Sequence, residues 1–247
     1  MGPRRMNYKT STIFCFVWLM VAPLSVAEQA QWQAASPDTQ VHVLELYTSQ
    51  GCSSCPPADR WLLDTAMKYP DFKTVIPLAF HVTYWDRLGW RDEFGQKAFD
   101  VRQRALAREE RTSVYTPGVF LNSKEFRQWR YGGDLPLGKP TGVLSFEGQN
   151  DARTRFHYQP LTTAEQRLTL HTAFLSKEIV TAVRRGENRG RTLREGYIVR
   201  AYRKFQMSCD EACAVDTQLN APVESDVLVA WLTDREGRHV QAAGAYF

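Results

Sequence analysis

Cys52 and Cys55 stand two residues apart, separated by Ser53 and Ser54. Two thiols at this spacing can close a small disulfide, and either can release a mixed disulfide formed on the other. The pair follows a strand-like run, Val41 to Tyr47, and precedes a helix-like run, Ala58 to Tyr69. That placement is more specific than a bare Cys-x-x-C. Free amides and the dipole at a helix start favour a thiolate. Cys52, the outer cysteine, is expected to attack and Cys55 to resolve. The competing readings of the same pair are a static disulfide and half of a zinc site.

Pro56 and Pro57 follow the second cysteine directly. Prolines are welcome in a first helical turn but not further in. A helix that begins there leaves Cys52 on a loop ahead of it, with weaker help from the dipole. Only a modest lowering of the Cys52 thiol pKa is then expected, with the Ser53 and Ser54 hydroxyls as further donors.

Three other groups of residues bear on the chemistry. Thr116-Pro117 precedes a short strand, Val119 to Leu121. A cis bond is expected there, with the Thr116 backbone and Pro117 binding an extended substrate beside Cys52. Cys209 and Cys213 enclose Asp210-Glu211-Ala212. Flanking acids disfavour a thiolate, so this pair reads as a structural disulfide, with a resolving pair as its rival. His81, on the strand after the dithiol helix, would complete a Cys52, Cys55, His81 set suited to copper. Its plainer reading is a strand histidine bonded to a neighbour. No metal is required by the first reading, and no partner is legible for His42, His157, His171 or His239.

The elements that position these residues follow from periodicity. Ala58, Leu62, Ala66 and Tyr69 fall on one helical face, closed by Pro70. Thr74 to Thr83 is a second apolar strand, so strand, dithiol, helix and strand form a parallel βαβ unit. An aromatic loop follows, from Tyr84 to Trp90. Asp92 reads as the cap of a long helix whose buried stripe is Phe94, Ala98, Val101 and Ala105, with Arg102, Arg104, Arg108 and Glu109 solvated. Glu125 to Tyr131 reads as one more helix. Beyond Gly132 the chain turns mainly to β. Leu168–Phe174, Ile179–Val183, Tyr197–Phe205, Val227–Leu232 and Val240–Phe247 read as strands. Asn188-Arg189-Gly190 and Asp234 to Gly237 read as turns.

The totals bound the setting. The chain has 247 residues, 43% hydrophobic and 23% charged, enough for a proper core. Residues 1–27 combine Arg4, Arg5 and Lys9 with an apolar run and small residues at Ser25-Val26-Ala27. This pattern is a cleavable secretory signal peptide rather than a span of ~20 apolar residues. The expected location is therefore periplasmic or secreted, with no membrane attachment after cleavage. Removing its three basic residues from 31 leaves 28 against 27 acidic ones. That near balance gives no support for nucleic-acid binding. An exported compartment permits disulfides.

The stretch Leu46-Tyr47-Thr48-Ser49-Gln50-Gly51-Cys52-Ser53-Ser54-Cys55-Pro56-Pro57-Ala58-Asp59 resembles a bacterial family of secreted, thioredoxin-like proteins catalogued as a domain of unknown function. His81 to Asp86 with Leu88-Gly89-Trp90, Tyr115-Thr116-Pro117, and Gly186 to Arg191 resemble its further signatures. The resemblance implies an α/β, thioredoxin-like fold with an added C-terminal all-β subdomain. The expected division is 38–135 for the thioredoxin-like domain and 136–247 for the mainly β part. The expected function is thiol–disulfide exchange with protein thiols or disulfides of the cell envelope, without an organic cofactor. A copper-handling protein and a non-catalytic envelope binding protein are the alternatives.

Overall fold

A computed structural model describes residues 1–2, 32–148, 152–162, 166–209 and 213–247. The expected signal peptide, from residue 3 on, lies outside the described residues, as do Asp210, Glu211 and Ala212. No helix among the described residues is long and apolar enough to cross a membrane.

The first half is a four-strand sheet with a helix on each side. Its strands are β2 (His42–Thr48), β3 (Val75–His81), β4 (Gly118–Leu121) and β5 (Lys124–Glu125); the short β1 (Trp32–Ala35) precedes them. β2 and β3 run parallel, joined through helix α1 (Pro56–Lys68). β4 returns antiparallel to β2 after helix α2 (Lys97–Glu109), and β5 closes the edge.

Period-two alternation decides what each helix meets. Leu44 and Leu46 of β2, Val75 and Ala79 of β3, and Val119 and Leu121 of β4 pack with Ala58 and Leu62 of α1. Val43, Tyr47, Ile76, Leu78, Phe80 and Phe120 pack on the other side with Phe99 and Leu106 of α2. The same alternation sends Glu45 toward α2 and His81 toward α1.

The second half is β throughout: β6 (Gly142–Gly148), β7 (Arg153–Pro160), β8 (Gln166–Ala182), β9 (Thr192–Cys209), β10 (Cys213–Gln218), β11 (Val227–Thr233) and β12 (His239–Tyr246). β8 and β9 form a long antiparallel hairpin with a register shift at Phe174/Leu175. β9 continues the first sheet by pairing parallel with β3 at Ile198 and Ala79, and β1 pairs with β6. α1 lies close over β9, where an added Cβ at Gly196 would run into Leu63. The architecture is α/β: a thioredoxin-like core extended by a C-terminal β subdomain.

Several local expectations change. Residues 32–35, ahead of the expected first domain, form a strand because β6 offers an edge to pair with. Leu168–Phe174 and Ile179–Val183 belong to one strand, and 125–131 shortens to a 3-10 turn at Arg127–Tyr131. Asp92 does not cap α2; the helix starts at Lys97, after Gln96 donates its amide to the His81 carbonyl at 3.1 Å. The stripe is also rephased. Val101 is 65% exposed, whereas Phe99, Arg102, Gln103 and Leu106 are buried. Arg102, expected in solvent, makes two bonds to Glu45, at 2.7 and 2.6 Å, and one to the Tyr202 hydroxyl at 2.7 Å. Its guanidinium lies 5.1–5.6 Å from the rings of Phe80, Tyr202 and Trp231, a cation–π setting for a buried charge.

Candidate functional site

Cys52 and Cys55 are bonded to each other as a disulfide, with Cα atoms 5.5 Å apart. Cys55 is the N-cap of α1, and Pro56 and Pro57 occupy its first turn. The helix thus begins where the two prolines allow, and Cys52 lies in the turn ahead. The Cys52 amide donates to Ser49 O at 3.0 Å, and the Cys55 amide to Cys52 O at 3.3 Å. Ser53 and Ser54 are exposed, but both cysteines are 0% exposed. Cys52 is therefore not the open, outer sulfur that its position ahead of the helix suggested.

The Thr116–Pro117 bond is cis, as expected. The contact it makes is through the side chain. Thr116 Oγ1 donates to Cys52 Sγ at 3.3 Å, while Trp85 Nε1 donates to Thr116 Oγ1 at 2.7 Å. Trp85 thereby occupies one lone pair and orients the hydroxyl hydrogen toward sulfur. Ser54 Oγ lies 3.4 Å from the same sulfur. The sequence places Trp85 only in the aromatic loop, because its indole–hydroxyl bond spans 31 residues.

The dithiol loop is held by Gln50, a residue given no role of its own by the sequence patterns. Gln50 is fully buried. Its amide donates to Asp92 Oδ2 at 2.8 Å, and its Nε2 donates to Thr181 Oγ1 at 3.0 Å and Glu195 Oε2 at 2.7 Å. Its Oε1 accepts from Trp90 Nε1 at 3.1 Å. Asn188, at the tip of the β8–β9 hairpin, donates from Nδ2 to both Gln50 O and Cys52 O, each at 2.9 Å. Glu187 Oε2 accepts from the Ser53 amide at 3.0 Å and from its hydroxyl at 2.7 Å. The β subdomain therefore reaches across and fastens the dithiol loop. The positive φ of Gly186 (+73°) lets the tip pass against Trp90.

Beneath α1 lies a buried set of ionisable groups. His81 pairs through Nδ1 with Asp92 Oδ2 at 2.8 Å, both side chains fully buried. Burial opposes the imidazolium, but the Asp92 charge and hydrogen bond outweigh it and hold the His81 pKa up at about 9. Burial likewise opposes the Asp92 carboxylate, yet His81 and the amides of Gln50 and Phe94 bring it below the usual range. Asp59 follows Cys55 by one turn, on the same helical side. Burial first, and the neighbouring Glu195 second, push its carboxyl well up. Burial raises Glu195 too. A cleft of about 320 Å³ beside α1 is lined by Pro56, Asp59, Leu63, Glu195 and Tyr197, among others.

His81 is thus a partnered strand histidine. Among the described residues no group of three or more His, Cys, Asp or Glu side chains is placed to hold a metal ion. Of the set Cys52, Cys55 and His81, the two sulfurs are bonded to each other and His81 Nδ1 faces Asp92. Three histidines without a legible partner find one: His42 with Asn122 and the Pro136 carbonyl, His171 with Tyr202 and Thr233, and His239 with the Val41 carbonyl. Cys209 and Cys213 face each other across β9 and β10 and are bonded.

A search of the curated proteins finds no match. Among solved structures, the chain is similar to a crystal structure of a protein from Agrobacterium tumefaciens. The two are 22% identical, with a TM-score of 0.61, over 84% of this chain and 95% of that one. At this identity the likeness speaks to fold alone. A family model described as protein of unknown function (DUF1223) matches residues 43–233, which span the dithiol, Thr116-Pro117 and the hairpin tip that holds the loop. The chain belongs to that family.

Proposed function

We propose that this protein is an exported thiol–disulfide oxidoreductase acting on protein thiols or disulfides of the cell envelope. The observation that carries the reading is the hydrogen bond from Thr116 Oγ1 to Cys52 Sγ, with the Thr116 hydroxyl itself fixed by Trp85. A donor aimed at one sulfur of a disulfide stabilises the thiolate that appears there when the bond opens. A plain structural staple has no need of it.

In the reducing direction, the Cys52 thiolate attacks a substrate disulfide. It forms a mixed disulfide, and the first substrate sulfur leaves as a thiolate and takes a proton. Cys55, losing its proton, attacks Cys52 Sγ. That closes Cys52–Cys55 and expels the second substrate thiolate. Two electrons pass to the substrate. The oxidising direction is the reverse, and a dithiol partner restores the other form. The backbone at Thr116-Pro117 pairs with the substrate segment that carries the attacked sulfur. No organic cofactor takes part.

The test is a trap. In Cys55→Ser, Cys52 keeps its thiol but the resolving step is lost. Envelope proteins should then accumulate as mixed disulfides with the variant, released by reductant and missing in Cys52→Ser/Cys55→Ser. A folded Cys55→Ser protein that traps nothing would defeat the proposal. The complete burial of both cysteines favours a second reading. In it the disulfide is a staple and the β subdomain binds a partner without catalysis.

A further inference from the structure

Glu187 is exposed at the tip of the β8–β9 hairpin, yet it makes two bonds to the dithiol loop, both through Oε2 and both to Ser53. An exposed carboxylate on a loop adds little to folding stability. Its position matters for a different reason. When the disulfide opens, negative charge appears at Cys52 Sγ, and nearby N–H and O–H donors decide how well it is tolerated. Thr116 Oγ1 and Ser54 Oγ are within 3.4 Å of that sulfur. The next residue in the chain, Ser53, has an amide and a hydroxyl free of any strand or helix ladder. Glu187 engages both. It therefore occupies two donors of the residue next to Cys52 and places a negative charge on the dithiol loop.

We infer that Glu187 is a positioning residue that biases the Cys52–Cys55 couple toward its disulfide form. The inference rests on the exchange chemistry proposed above, but its sign does not depend on the substrate. Reduction by a dithiol reagent breaks the Cys52–Cys55 bond and closes the reagent's own disulfide. Two electrons move to the protein. The reagent gives up two protons, one to Cys55 and one to Cys52 or to solvent. To the extent that the second proton goes to solvent and Cys52 is left as a thiolate, whatever disfavours that thiolate disfavours this product. The added β subdomain thus tunes a dithiol that belongs to the thioredoxin-like core.

The experiment equilibrates the mature chain and its Glu187→Gln and Glu187→Asp variants with dithiothreitol redox buffers at neutral pH. The reduced fraction is read by mass after alkylation of the acid-quenched, unfolded protein. Glu187→Gln keeps the shape and removes the charge. Its equilibrium should move about two- to fourfold toward the dithiol, the size of a solvent-screened charge interaction. The shift should shrink in 1 M salt, where the Debye length falls to about 3 Å. Glu187→Asp, which keeps the charge, should stay nearer the parent. An unchanged equilibrium in Glu187→Gln, a shift toward the disulfide, or a shift indifferent to salt would overturn the inference. Dithiothreitol reaches the low potentials of structural disulfides. The comparison therefore reads Glu187 even if the parent fails to exchange with glutathione, a failure that would count against the proposed function alone.

Discussion

The side-chain amide of Asn188 donates to the backbone carbonyl of Cys52 at 2.9 Å, across 136 residues of sequence. The same nitrogen reaches Gln50 O, and Arg191 Nη1 fixes the amide by donating to Asn188 Oδ1 at 3.0 Å. A residue at a hairpin tip is thus fully buried and holds the two carbonyls that flank Gly51.

Asn188→Ala removes the side-chain donor that both Gln50 O and Cys52 O accept from, and leaves Cys52 O only the longer bond from the Cys55 amide. Losses of this kind cost about 1–3 kcal/mol. Urea unfolding of the oxidised protein should show a lower midpoint with an unchanged slope. An unchanged midpoint would mean that water replaces the amide without loss.

Thr116→Val keeps the shape of the side chain and deletes the hydroxyl between Trp85 and Cys52. A hydrogen bond to a charged group is worth about 1.5–3 kcal/mol. In the reduced protein below the thiol pKa, alkylation of Cys52 should slow by roughly tenfold or more. Equal rates would show that Thr116 does not support the thiolate.

Arg102 and Glu45 are each less than a tenth exposed. Removing one partner of a buried pair strands the other charge, at a cost of about 3–5 kcal/mol. Arg102→Ala and Glu45→Ala should each unfold at distinctly lower denaturant. The double variant Glu45→Ala/Arg102→Ala should lose less than the two single losses added, and strict additivity would contradict the pairing.

The groups beneath α1 give stability a pH slope. His81 is held at about 9 against 6.5 for its ordinary value, and Asp59 is raised above 3.8. In both, the folded chain keeps a proton that the unfolded chain gives up, so stability falls as pH rises through this interval. The His81 part is whole below about pH 6.5 and lost by about 9; the Asp59 part begins to fade above about pH 4. Asp59→Asn carries no such proton. Its unfolding free energy, measured from pH 5 to pH 9, should fall less steeply than the parent's. Parallel slopes would remove Asp59 from the account.

The parts of the site that were legible in the sequence are local ones. Strand, dithiol and helix follow one another within 30 residues, and Pro56-Pro57 announces where the helix starts. The rest depends on long-range partners that periodicity does not report. Arg102 reads as solvated by residue type and is buried because β2 presents Glu45 to it, 57 residues away. Asp92 reads as a helix cap because acids favour that place, but a buried histidine opposite competes for it. The β8–β9 hairpin reads as separate strands because Ser176-Lys177-Glu178 interrupts its apolar pattern, and its turn gives no hint that Glu187 and Asn188 reach the dithiol.

The most direct measurement of the central claim is the reduction potential of Cys52–Cys55 in the mature protein. It is obtained by equilibration in glutathione buffers and read by mass after alkylation. A reversible couple is expected between about −270 and −120 mV, the range of exchange proteins. A pair that stays oxidised in every buffer, as expected below about −300 mV, would contradict it and leave the disulfide a staple.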